Sequence, residues 1–391
     1  MIVAFGTYDK KHHPRIAILI DGLRAHGREV VEINHPLGLS TADRVRMLRQ
    51  PWRLPALAVR IVSRWWDLAR GAWRLKRSGA DVRTVLVGYL GHFDVLLARL
   101  VFRSSTIVLD HLIFAGDTAL DRGARGLRVR LLTGLDRLAI RAADIVAVDT
   151  AEHAALLPAG AHGVVVPVGA RQEWFDAILT EGAEAGEDAD AGAPGSASPD
   201  AASPDAGTGV SAVFFGLFTP LQGAAVIAEA AAIALDRGTE LSVTMIGTGQ
   251  DWEAARAALG DRAGVTWVDW VDAAELPAVV ARHDISLGVF GTSAKALRVV
   301  PNKVYESAAA GCAIITSDTP PQRAMLGDAA LLTPPGDAAA LAEALAGLAA
   351  SPEALVAART AARERAEAFR AIRVVEPLLA VLPPDGRGAR P

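Results

Sequence analysis

Cysteine is all but missing: Cys312 stands alone in 391 residues, so no intrachain disulfide can form and the chain suits a reducing compartment. Lysine is scarce beside arginine, and alanine is so frequent that part of it reads as coding bias. No run of about 18 uncharged apolar residues occurs, so no segment is expected to span a membrane. The opening Met1-Ile2-Val3-Ala4-Phe5-Gly6 lacks the basic lead and long apolar region of a signal peptide. We therefore expect a cytoplasmic α/β protein. Chemistry-bearing signatures are missing too. There is no Gly-x-x-x-x-Gly-Lys-Ser/Thr loop, no Gly-x-Ser-x-Gly elbow and no cysteine-rich metal pattern. Gly247-Thr248-Gly249 opens like a dinucleotide fingerprint but lacks the third glycine, which argues against nicotinamide binding. No recognised module accompanies the basic residues, so nucleic acid is not an expected partner.

What is present suffices for two or three domains, since 51% of the residues are hydrophobic. The net charge of −4 hides an asymmetry: residues 1–178 carry a net +8 and the remainder a net −12. Much of the basic excess falls between Arg44 and Arg77, where Trp52, Trp65, Trp66 and Trp73 are interleaved with arginines. Such a helical segment suits the boundary between acyl chains and anionic headgroups. Equally, it suits a solvated basic helix whose tryptophans pack on the domain.

From Glu181 to Gly209 the chain holds acidic residues, Ala, Gly, Ser and Pro, and no large apolar side chain. It cannot offset the entropy of ordering, and we expect a disordered linker over 179–209 between folded halves. Each half alternates strands with helices. In residues 1–178 the strand candidates are Ile2–Gly6, Glu29–Asn34, Thr84–Gly88, Thr106–Asp110, Asp144–Asp149 and Val164–Val168. In residues 210–370 they are Ala212–Gly216, Leu241–Ile246, Val265–Val268, Ile285–Val289, Ala313–Thr316 and Ala330–Leu332. The pattern predicts two Rossmann-like, doubly wound α/β domains, with ligands at the carboxyl ends of the strands in a cleft between them. The tail 371–391 is expected to pack back on the first domain.

The richest stretch runs from Gly288 to Gly311, from a strand end through a loop into a helix opening near Pro301. A helix N-terminus offers free N–H groups and the positive end of its dipole to a phosphate. Lys295, Arg298, Asn302 and Lys303 add cationic and polar groups, and Glu306 follows Lys303 by three residues on one helix face. On spacing alone, a surface Lys–Glu pair is as good an account as a ligand site.

Pro301-Asn302-Lys303-Val304-Tyr305-Glu306, followed by Ala308-Ala309-Ala310-Gly311, resembles the donor-binding motif of retaining GT-B glycosyltransferases, in particular glycosyltransferase family 4. Other landmarks follow in order: Val165-Val166-Pro167-Val168-Gly169, then Phe214 to Gly223, then Met245-Ile246-Gly247-Thr248-Gly249. The likeness covers nearly the whole chain outside the acidic insertion. It implies the GT-B fold and transfer of a hexose from a nucleoside-diphosphate sugar to an acceptor hydroxyl, with retention and without a metal or other cofactor. Three positions depart from the family pattern: Leu217 and Gln222 stand where a diphosphate-neutralising Arg and Lys are common, and Arg298 replaces the first motif glutamate. Lys295, Arg298 and Lys303 are therefore expected to supply the missing charge, and Glu306 to orient the donor. Gly6, Gly216 and Gly247 are expected to let backbone approach the phosphates and nucleotide. Trp270 would flank the base or pack in the core. On the acceptor side the resemblance points to Asp110 or His111 at the end of the fourth strand, and a structural histidine is an equal account of His111. The acceptor expected is a glycan or a lipid-linked sugar, with peripheral membrane contact through 44–77. A non-catalytic GT-B-like binding or scaffold subunit, and a sugar-nucleotide epimerase of the same fold, remain as alternatives.

Overall fold

The computed structural model describes residues 1–10, 13–38, 54–121, 123–180 and 209–384. The stretch Arg44–Arg53 with Trp52, and most of the acidic segment, lie outside the described residues. The chain divides into two compact units, Met1–Pro167 with the segment from Ala371 onward, and Val168–Arg370.

In the first unit the strands are β1 (Ile2–Gly6), β2 (Val30–Asn34), β3 (Thr84–Val87), β4 (Thr106–Asp110), β5 (Ile145–Val148) and β6 (Gly163–Val165). They form one parallel sheet in the order β2-β1-β3-β4-β5-β6. A parallel sheet covered on both faces needs apolar residues on both, and β1, β3 and β5 are accordingly buried throughout. Val3, Phe5, Val85, Val87, Ile107 and Leu109 point toward helices Leu54–Arg77, Asp94–Val101 and Leu127–Ala142. Alternate residues, Ile2, Ala4, Leu86 and Val108, point toward helix Arg15–Ala25 and the C-terminal residues Val374, Val375, Leu378 and Leu382. Gly22 admits that C-terminal segment, because a Cβ there would lie 2.1 Å from the Ala371 carbonyl oxygen.

In the second unit, β7 (Val210–Phe215), β8 (Leu241–Ile246), β9 (Val265–Val268), β10 (Ile285–Leu287), β11 (Ala313–Ser317) and β12 (Leu331–Thr333) pair in the order β12-β11-β10-β7-β8-β9, all parallel. Helix Ala224–Asp236 buries Ala228, Ala230, Ala231 and Ala234 between the sheet and its neighbouring helices. The alanine richness thus has a structural use here beyond codon bias: small side chains let helices approach closely. Helix Gln172–Thr180 belongs to this unit. Its Trp174 stacks on Phe215 with 5.7 Å between ring centroids.

Strand order reverses between β1 and β3 in the first sheet and between β7 and β10 in the second. Crossovers leave in opposite directions at those points, and the crevice outside the carboxyl ends of the strands is where doubly wound sheets take ligands.

Candidate functional site

At the second sheet's switch point three glycine turns meet. Gly216 has φ +132° and Gly247 has φ +121°, and a Cβ on Gly247 would lie 2.0 Å from the Gly216 oxygen. Gly223, with φ +69°, abuts the end of β10: a Cβ there would lie 2.6 Å from the Phe290 carbonyl carbon. The Phe290 N–H donates to the Gln222 oxygen at 3.1 Å and locks the two turns together. Backbone is therefore the lining of the crevice here, as close approach of a ligand requires.

Helix Asn302–Ala309 is held over this point by its apolar face. Val304, Tyr305, Ala308 and Ala309 are buried, the Tyr305 ring meets Phe369 edge-on at 4.8 Å, and Ser307 Oγ shares a hydrogen bond of 2.6 Å with Ser286 Oγ of β10. That anchoring carries Lys303 inward rather than to the surface. Its Nζ lies 3.6 Å from the Phe214 ring centroid, would sit 3.5 Å from a Cβ on Gly216, and has no hydrogen-bond partner among the described residues. Burial pushes the Lys303 amine well below the usual lysine range, with only Glu306 pulling it back up. Glu306 is pushed up to about 7 by burial; Lys303 opposes that shift, Glu173 adds to it and Arg171 opposes it. The pair is thus no solvated surface couple: both charges are expensive without a further partner.

Other residues singled out in the sequence fall around the same end of the sheet. Asn302 opens the helix and is exposed, and Pro301 before it makes no side-chain cap bond to the N-terminus. Lys295 and Arg298 flank the short 3-10 turn Ala296–Arg298, half-buried, each holding interactions of its own. Gln222 is half-buried, with Oε1 inaccessible and without a hydrogen-bond partner among the described residues. Leu217 is 59% exposed beside Gly216, and Trp270 is 62% exposed just past β9, so it is not a core tryptophan. A cavity of about 510 Å³ lined by Gly209, Asp236, Glu240 and Arg262 opens at the amino ends of β7 and β8, the wrong end of the sheet for this site.

In the first unit the turn after Gly6 is filled by the protein itself. Asp94 Oδ2 accepts from the Thr7 N–H at 2.7 Å and the Thr7 hydroxyl at 2.8 Å, and Oδ1 accepts from Trp65 Nε1 at 3.0 Å. A Cβ on Gly6 would lie 3.1 Å from that carboxylate. Asp110 is buried and accepts from Arg15 Nε at 2.7 Å, while Arg15 Nη1 donates to the Pro167 oxygen at 2.6 Å. Burial raises the Asp110 carboxyl despite Arg15. His111, also buried, leaves Nε2 without a hydrogen-bond partner among the described residues, 3.9 Å from Asp136 Oδ1. Burial, with His92 adding repulsion, lowers its imidazole to about 3, so it is neutral at neutral pH. Asp136 accepts from His92 at 2.9 Å and from the N–H groups of Ala115 and Gly116, each at 2.9 Å. The ligand atoms of His92, His111 and Asp136 lie within 4.8 Å of one another. With its carboxylate engaged by three donors, Asp136 acts as a hydrogen-bonded clamp on the start of helix Ala115–Asp121.

Arg15, Asp94, His92 and Asp136 were not singled out in the sequence. Gly88-Tyr89-Leu90-Gly91-His92-Phe93-Asp94 after β3 carried a signal, two glycines ahead of polar residues at a strand end. Asp136, in a helix full of Leu and Arg, carried none.

Two parallel α/β units with switch points at the carboxyl ends of their sheets define the GT-B class of fold. Residues 209–351 match the family model for glycosyl transferases group 1. The chain superposes on sucrose-phosphate synthase from Thermosynechococcus elongatus with a TM-score of 0.63 and 15% identity, covering 97% of this chain and 98% of that one. An α,α-trehalose-phosphate synthase (UDP-forming) from Burkholderia vietnamiensis gives 0.63 and 15%, over 97% and 96%. Anabaena HepE in complex with UDP-glucose gives 0.61 and 13%, over 97% and 99%. No curated protein sequence matches the chain. The family match over residues 209–351 and the fold together support a glycosyltransferase.

Proposed function

We propose that the chain moves a hexose from a nucleoside-diphosphate sugar to an acceptor hydroxyl, with retention and without a metal ion. One observation carries this: the buried, unpartnered Lys303 nitrogen at the β7/β10 switch point, against the Gly216 turn. A diphosphate there would give Lys303 the acceptors it lacks, a charge-assisted bond worth about 1.5–3 kcal/mol. The same contact would stabilise charge growing on the leaving diphosphate. Lys295, Arg298 and the N–H groups at Asn302 would take the outer phosphate oxygens in place of the cations missing at Leu217 and Gln222. Glu306 would accept hydrogen bonds from ribose or sugar hydroxyls, and the exposed Trp270 ring would cover the base. In the first unit, neutral His111 would hydrogen-bond the sugar or the oxygen that arrives or departs, with Asp110 holding the strand end through Arg15. The acceptor is proposed to be a glycan or lipid-linked sugar, with helix Leu54–Arg77 touching a membrane surface.

Thermal melting with UDP, GDP, ADP and TDP, with and without a divalent metal, tests the reading. Stabilisation by one nucleotide, independent of metal and lost in Lys303→Ala, is the expected result, and UDP is the first to try given the HepE complex. No response to any nucleotide would favour a non-catalytic subunit. Epimerisation of the donor without transfer would favour the epimerase.

A further inference from the structure

Helices Leu54–Arg77, Asp94–Val101 and Leu127–Ala142 lie side by side on one face of the first sheet, the middle one packed against both others. Their outward faces share a chemistry. On the first, Val59, Val62, Trp66 and Trp73 are 56–70% exposed and recur at intervals that keep them on one stripe. On the third, Leu127, Leu131 and Leu138 are 71%, 65% and 50% exposed, again on one stripe. Leu100, 62% exposed, stands on the helix between them.

Cations flank both stripes. The first helix carries Arg60, Arg64, Arg70, Arg74, Lys76 and Arg77; the third carries Arg128, Arg130, Arg137 and Arg141. Among the described residues of the three helices, Asp67 is the one acid left at the surface, because Asp94 and Asp136 are buried in the contacts described above. The Arg77 guanidinium lies over the Trp73 ring at 4.1 Å. Single exposed apolar residues are ordinary on a soluble surface; two parallel apolar stripes bordered by arginines across adjacent helices are not.

We propose that this three-helix face is a docking surface for an anionic lipid bilayer, in which Leu127–Ala142 takes part as fully as the tryptophan-bearing helix. Adjacent helix axes lie about 8–10 Å apart, so the face is roughly 20 Å wide. Leucine and tryptophan side chains would enter the headgroup boundary while the guanidinium groups meet phosphates. The apolar residues rise singly among arginines instead of lining a groove. A headgroup layer accepts that interleaving, whereas a protein partner needs shape-matched pockets. No single helix among the described residues is long and apolar enough to cross a membrane, so contact would be in the surface plane. The inference extends the contact suggested for Leu54–Arg77 and does not depend on the transfer reaction.

Flotation of the full chain with vesicles of phosphatidylcholine, and of phosphatidylcholine and phosphatidylglycerol in equal parts, tests it. The protein should float with the anionic vesicles only, and high salt should release it. Each arginine near an anionic surface contributes about fivefold in partition, so Arg130→Ser/Arg137→Ser should lower binding about 25-fold. Leu131→Ser/Leu138→Ser should lower it as well. All four residues are exposed, and an unchanged melting temperature will show that the variants fold. Failure of the wild type to float would overturn the proposal, as would preferential retention on duplex DNA. Loss of flotation in Trp66→Ser/Trp73→Ser with none in the Leu127–Ala142 variants would confine the contact to one helix and overturn it too. None of these readouts uses a nucleotide, so they stand apart from the donor-binding test.

Discussion

The Lys303 side-chain nitrogen sits 3.6 Å from the centre of the Phe214 ring and finds no hydrogen-bond partner among the described residues. An amine kept in that state is held against its own solvation preference by the packing of Val304 and Tyr305 beside it. Replacing it with methionine keeps the aliphatic reach and removes the polar end. Lys303→Met should therefore raise stability by about 1–3 kcal/mol while abolishing the nucleotide-induced rise in melting temperature. Calorimetric melting of both proteins, with and without nucleotide, checks this. A lower melting temperature in the variant would mean that the amine has a stabilising partner.

The same burial makes donor binding pH-dependent. The empty site holds Lys303 well below the usual lysine range, and a diphosphate beside it would restore the charged form. At any pH between the amine's value in the empty site and its raised value in the complex, binding takes up a proton at Lys303, and nucleotide affinity should weaken as pH rises through that window. Titration calorimetry in buffers of different ionisation enthalpy measures the uptake directly. Net proton release would contradict the assignment and point instead to ionisation of Glu306, which sits near 7 when empty.

Much of this was legible in the sequence because parallel strands and glycine turns leave strong local marks. An apolar run such as Ile2–Gly6 needs no tertiary context to be recognised, and Pro301-Asn302-Lys303 announces a helix start. Element ends were less legible. The strand expected over Val164–Val168 stops at Val165, just ahead of Pro167, which has no N–H to donate to a ladder. Nor could spacing tell that Lys303 points inward, since Lys at a helix start is ordinarily solvated. Asp136 was invisible for the opposite reason: its partners His92, Ala115 and Gly116 are distant in sequence, and only folding unites them.

The two glycines at the β7 and β8 ends should respond differently to substitution. A Cβ on Gly247 meets the Gly216 oxygen at 2.0 Å, whereas a Cβ on Gly216 meets only the end of Lys303, at 3.5 Å. Both have φ beyond +120°, so both variants carry backbone strain. Gly247→Ala must also displace backbone and should cost about 1–3 kcal/mol more than Gly216→Ala. Gly216→Ala should instead show its main loss in nucleotide affinity, because the methyl group enters the crevice beside Lys303. Denaturant titration and nucleotide binding measured on both variants separate these effects. Equal loss of stability would refute the ordering.

Asp136 offers a test in the first unit with a definite sign. Although burial alone would raise its carboxyl, hydrogen bonds from His92, Gly116 and Ala115 hold it below the usual aspartate range. A group whose folded pKa is depressed contributes stability above its unfolded value, near 4, and loses it as pH falls through the folded value. Asp136→Asn presents an amide where a carboxylate met three donors, and should cost about 2–4 kcal/mol at pH 7. The gap between wild type and variant should narrow as pH falls from about 4, where the unfolded carboxylate protonates, through the lower value at which the folded one does. Denaturant unfolding followed at several pH values gives that difference. A gap that stayed constant to low pH would mean that the loss in the variant comes from packing, and that the clamp on helix Ala115–Asp121 does not depend on the charge.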